Sequence, residues 1–122
     1  MMLRPNRQFT PPTDVIELID KLLVMVEIAG MRSGDFNIVL QNRRLTITGT
    51  RQRPGAEVAA FHQVEIGFGE FRIDLNLPWA ADREAVSATY EHGFLTIELP
   101  RKPIEKVRVV DLEAQEQEST LS

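Results

Sequence analysis

Along most of this chain, apolar residues stand at every second position. In "EFRIDLNLP", Phe71, Ile73, Leu75 and Leu77 alternate with Arg72, Asp74 and Asn76. An extended backbone points successive side chains to opposite faces, so this pattern predicts a strand with one buried face. "DFNIVLQ" does the same with Phe36, Ile38 and Leu40, "RLTITGT" with Leu45 and Ile47, and "FLTIELP" with Leu95, Ile97 and Leu99. "KLLVMVEIAG" is more uniformly apolar and has the composition of a short buried helix, but its brevity and the Gly30 that ends it favour a strand. Two tight turns fit between these runs: "QNRR" offers Asn42, and "EHGF" offers Gly93 where a hairpin needs positive φ. "ADREAVSATY" opens like a helix, with Asp82 as a cap. Val86, Ala88 and Tyr90 then alternate, which limits the helical part to a turn before another strand. Short antiparallel strands at this spacing predict an all-β sandwich.

Two stretches do not fit a self-contained sandwich. "RQRPGAEVAAFHQVEIGFG", residues 51–69, is a long excursion between strands, and connections of that length are usually functional or supply a strand elsewhere. "KVRVVDL", residues 106–112, comes after "PRKP", where the globular body is expected to end. Val107 and Val109 point to one side of an extended chain and Arg108 to the other. This stretch is either a last edge strand of its own domain or a segment that buries its valines against something else. Both chain ends have non-globular composition, with Pro5, Pro11 and Pro12 at the front and Glu113, Glu116 and Glu118 at the back.

The 122 residues are 43% hydrophobic and 26% charged, enough for one domain with a real core. A net charge of −4 argues against a nucleic-acid partner, which requires a basic face. No apolar run is long enough to span a bilayer, and the first twelve residues lack the apolar centre of a signal peptide, so a cytoplasmic location is expected. Without cysteine there is no disulfide, thiol nucleophile or thiolate metal site. His62 and His92 lack ligand spacing, no serine lies in a nucleophile elbow, and no glycine-rich loop precedes a helix. Trp79, next to the strand-ending Pro78, is expected to cover a sheet edge or core end. No enzyme activity, metal or cofactor is expected.

The motifs carry a resemblance. "ATYEHGFLTIELP" matches the A-x-x-x-x-G-x-L signature, and "IAGM", the L-x-I-x-G run from Leu45 to Gly49 and "GEFRIDLNLP" follow the pattern of the same family. The chain resembles the α-crystallin domain of small heat-shock proteins, in its bacterial branch. That resemblance implies an immunoglobulin-like β-sandwich at 13–100, an N-terminal arm at 1–12 and a C-terminal extension at 101–122. It implies an ATP-independent chaperone, a holdase that binds partly unfolded client proteins and prevents their aggregation. It also implies self-association into dimers and higher homo-oligomers. Residues Phe61, His62 and Gln63 in the excursion would cross to a neighbouring subunit and pair with its Thr13, Asp14, Val15 and Ile16. Val107 and Val109 would dock in a groove of another dimer, for which Ile38, Leu40, Val86 and Ala88 are candidates; the same four side chains also fit a core role.

Two departures from the family pattern stand out. The family arginine aligns with Ile73, and Arg72, one place earlier, faces the other way, which puts an arginine-mediated dimer ion pair in doubt. The arm is short, with Met1, Met2, Leu3 and Phe9 as its apolar side chains. A different function on a related sandwich is a co-chaperone or adaptor of the CS type, but a monomeric adaptor needs neither the crossing loop nor the V-x-V tail. A sandwich enzyme would need the catalytic constellation that is missing.

Overall fold

In the strands that carry the core, burial follows the period-two pattern. The computed structural model describes residues 8–104 and 106–112; Met1, Met2, Leu3 and Pro5 of the arm and Glu113, Glu116 and Glu118 of the tail lie outside the described residues. Seven strands form: β1 (Thr13–Glu17), β2 (Lys21–Glu27), β3 (Phe36–Gln41), β4 (Arg44–Arg51), β5 (Gly69–Asn76), β6 (Ser87–Glu91) and β7 (Phe94–Pro100). One sheet has the order β1-β2-β7-β6 and the other β3-β4-β5, with every pairing antiparallel. This is the all-β, immunoglobulin-like sandwich expected from the sequence. "KLLVMVEIAG" is a strand, and its Leu22, Val24 and Val26 lie opposite Leu99, Ile97 and Leu95 of β7.

Those six side chains face Leu45, Ile47, Phe71 and Ile73 of the other sheet, and all ten are buried. Fully burying a side chain of this size contributes about 1.5 to 3 kcal/mol, so the layer between the sheets carries the fold. Gly49, which closes the L-x-I-x-G run, lies opposite Phe71. A Cβ there would stand 2.6 Å from Phe71 Cζ and 2.9 Å from the Asp35 carbonyl oxygen. The ring lies over β4 because glycine leaves the space.

The turns use the residues the pattern offers. Asn42, between β3 and β4, has φ 56°, and the β6–β7 turn places both His92 (φ 53°) and Gly93 (φ 81°) in the left-handed region. Two-residue hairpin turns of that hand match the twist of the flanking strands. The Asp82 carboxylate accepts the Glu84 backbone N–H at the start of a single 3-10 turn, Arg83–Ala85, before β6 begins.

Residues 8–12, the described part of the arm, lie against the sandwich. Phe9 N–H donates to the Glu70 carbonyl at 3.1 Å, its ring is 5.7 Å from that of Phe71, and Pro11 is buried. At the other end, Arg101 N–H donates to Asp20 O and Lys102 N–H to Ala80 O, each at 3.0 Å. The root of the extension is therefore fixed to the domain beyond the end of β7.

Candidate functional site

A two-sheet sandwich has open sides wherever edge strands of opposite sheets meet. Here β3 is an edge of one sheet and β6 an edge of the other, and each presents unpaired backbone groups. Two contacts tie these edges together. At one end the Phe36 and Tyr90 rings lie 5.2 Å apart, and the Tyr90 hydroxyl donates to Ile28 O at 2.7 Å. At the other end the Arg83 guanidinium donates to Leu40 O at 2.8 Å.

The side chains between these ties are the four expected from the sequence. Ile38 lies opposite Ile47, Leu40 opposite Leu45 and Ala88 opposite Ile97, so all three point to the core side of their strands. Ile38, Leu40 and Val86 are half-buried and pack on the core cluster, whereas Ala88 is exposed. The core role thus holds for Ile38, Leu40 and Val86, each of which also keeps part of its surface open to solvent.

The extension does not fill this gap within its own chain. Val107 and Val109 are 91% and 90% exposed, and none of the described residues from 102 to 111 belongs to a strand. The alternative in which "VRVV" is a last edge strand of its own sandwich is not what the chain forms.

The excursion likewise carries no strand between 52 and 68, and the chain makes no pairing between Phe61, His62 or Gln63 and β1 among the described residues. Thr13, Asp14, Val15 and Ile16 pair with β2 on one side only, and Val15 and Ile16 remain exposed. Phe61 is exposed, and Gln63 Nε2 donates to Glu65 Oε2 at 2.8 Å. A stack of cations and rings holds the base of the excursion. Arg51 lies over Phe9 and Phe68 at 5.1 and 5.2 Å, and Arg53 over Phe68 and Phe61 at 4.3 and 4.9 Å. Arg51 Nε also donates to Gly67 O at 2.9 Å. Sequence reasoning missed this stack, because its rings come from three separate segments with no common period.

Trp79 covers one end of the core. It is half-buried, donates from Nε1 to Glu17 Oε1 at 2.8 Å and lies under the Arg101 guanidinium at 5.6 Å. His62 and His92 are both exposed, and no group of three or more His, Asp or Glu among the described residues is placed to hold a metal. No helix among the described residues is long and apolar enough to cross a membrane.

The departure at residues 72 and 73 has a clear structural result. Ile73 is buried, and Arg72 lies on the outer face of β5, where its Nε donates to Asp74 Oδ2 at 2.7 Å. Arg44 at 3.2 Å and the Thr46 hydroxyl at 2.9 Å complete the ring around that carboxylate. The Arg72 hydrogen bond, then that from Thr46, lowers the Asp74 pKa to about 2. A carboxylate whose pKa is lower folded than unfolded adds stability above its unfolded value, lost as pH falls from near 3.8 toward 2. Asp74→Asn is therefore expected to lose a small, solvent-screened part of stability at neutral pH and to match the parent at pH 2. Thermal midpoints of both proteins across pH 2–7 check this.

The sandwich thus carries edge strands at β1, β3 and β6, a long loop without strands and an exposed apolar tail. The model of the Hsp20/alpha crystallin family matches residues 14–113. The chain belongs to that family of small heat-shock proteins, which are chaperones. It is 29% identical over 108 residues to small heat shock protein C2 of Rickettsia felis, covering 88% of this chain and 70% of that one. It is 35% identical over 101 residues to a 22.0 kDa heat shock protein of Arabidopsis thaliana, covering 79% and 52%. Part of the length of such relatives thus has no counterpart here. The fold matches the crystal structure of a small heat-shock protein from Xylella fastidiosa with TM-score 0.74 and 24% identity, over 86% of this chain and 97% of that one.

Proposed function

We propose that this chain is an ATP-independent holdase that assembles with copies of itself and binds partly unfolded client proteins. One observation carries the reading: the chain holds an apolar gap between β3 and β6 and an apolar V-x-V tail, and leaves both unsatisfied within the monomer. In this reading Val107 and Val109 of one chain dock against Ile38, Leu40, Val86 and Ala88 of another. Residues Phe61, His62 and Gln63 pair with the free edge of a partner's β1 at Thr13, Asp14, Val15 and Ile16.

The energetics suit a reversible assembly. Burying a valine supplies about 1.5 to 3 kcal/mol, so one tail contributes only a few kcal/mol before the cost of ordering it. Several tails in one closed assembly act together through effective concentration. Such contacts hold an oligomer together and still open often enough to expose apolar surface to a client.

The test is light scattering from a heat- or reductant-unfolded client, with and without this protein and with no nucleotide. Scattering is expected to fall strongly near equimolar protein. Unchanged scattering at several-fold excess overturns the holdase reading, and a monomeric native mass returns the chain to an adaptor role.

A further inference from the structure

The gap between β3 and β6 is not symmetric end to end, and neither is the tail. We propose that charge fixes the direction in which the tail docks, with the acidic segment after the V-x-V motif seated on the Arg43–Arg83 end of a neighbour's groove. This rests on the docking reading above and adds the polarity and a second contact.

Arg83, whose guanidinium holds the Leu40 carbonyl, also lines a hollow of about 570 Å³ together with Arg43 and Lys102. Neutral acceptors hold both guanidinium groups. Arg43 donates to Leu77 O at 3.1 Å and to Pro78 O at 2.7 Å, and Arg83 donates to Leu40 O. None of the three cations has a carboxylate within ion-pair distance among the described residues. Asp82 and Glu84 share the hollow, and Asp82 is committed to the Glu84 N–H. The Phe36–Tyr90 end is the more acidic of the two, with Glu27, Asp35 and Glu91 next to its elements and two arginines there, Arg32 and Arg51, the latter bonded to the Ala29 and Gly67 carbonyls.

The tail has matching polarity. Lys106 and Arg108 precede or interrupt the two valines, whereas Asp111, Glu113, Glu116 and Glu118 follow them with no further cation. Docking with the acidic end toward Arg83 sets unlike charges together at both ends of the groove, and the reverse sets like charges together. The bound segment then runs parallel to β3 and antiparallel to β6. From Val109, three further extended residues reach about 10 Å, which carries the chain past Leu40 to the hollow.

The native chain has no cysteine, so single engineered thiols report this direction without background. One full-length copy carries Leu112→Cys, and a co-expressed copy carries either Ala85→Cys, beside Arg83, or Ser33→Cys, beside Phe36. A disulfide forms only where the two Cα atoms come within about 7 Å. Oxidation followed by peptide mass analysis is expected to give several-fold more 112–85 linkage than 112–33. Replacing Asp111 by Asn and Glu113, Glu116 and Glu118 by Gln in the tail copy is expected to remove that preference, with circular dichroism checking that the sandwich stays folded. Equal or reversed yields overturn the direction while leaving docking intact. No linkage in either pair overturns docking and the direction with it. A preference that survives the neutralised tail overturns the role of charge.

Discussion

Changing Val107 and Val109 together to Gly is expected to reduce the native mass from oligomers to dimers while leaving the melting midpoint of the sandwich almost unchanged. In the proposed assembly these two side chains supply nearly all the apolar burial of the docked tail, about 3 to 6 kcal/mol before ordering costs. Glycine removes that burial and also makes the extended form entropically more expensive. The sandwich has no stake in either residue: both are about nine-tenths exposed, and β7 ends at Pro100, before the tail begins. Arg108→Ala is expected to matter much less, because alternation points Arg108 away from the groove. Native mass spectrometry with thermal melts of the same samples reads both quantities. A double variant that is destabilised yet fully assembled contradicts tail docking.

Replacing residues 56–63 with a short Gly/Ser turn is expected to convert dimers into folded monomers. The excursion contributes no strand to its own sandwich, so its loss leaves the core strands β2, β4, β5 and β7 and their ladders in place. What it removes is the segment proposed to pair with a partner's β1, where Val15 and Ile16 stay exposed and one backbone edge is unpaired. Arg51, Phe68 and Gly67 lie outside the replaced stretch, so the anchor at the loop base survives; Arg53 loses its contact with Phe61 only. Circular dichroism checks folding and multi-angle light scattering checks mass. Dimers that persist place the interface elsewhere on the chain.

Strand positions were legible because burial on one face imposes a period of two, and a slip of one residue would turn Leu95, Ile97 and Leu99 to solvent. The turns were legible because Asn42 and Gly93 tolerate positive φ, although His92 adopts it too without an obvious signal. The four groove candidates were readable as a pattern, but not as a place. Nothing in the spacing of Ile38 and Leu40 says that Val86 and Ala88 stand across a gap from them.

The sequence by itself determined the all-β class, the buried face of the strands that alternate cleanly and the mismatch between a closed sandwich and the two leftover segments. These follow from local chain geometry, which repeats every two residues and needs no knowledge of what lies opposite. Tertiary structure alone decided which edges meet. Phe36 on Tyr90 and Arg83 on Leu40 O bring β3 and β6 together across more than a third of the chain. It also decided that Phe9 closes over Phe71, that Arg51 and Arg53 stack among three rings, and that Arg43 and Arg83 line one hollow. Such contacts form between segments far apart in the chain, where the gain from burial and hydrogen bonding must exceed the entropy of closing a long loop. Local periodicity does not encode the outcome of that competition.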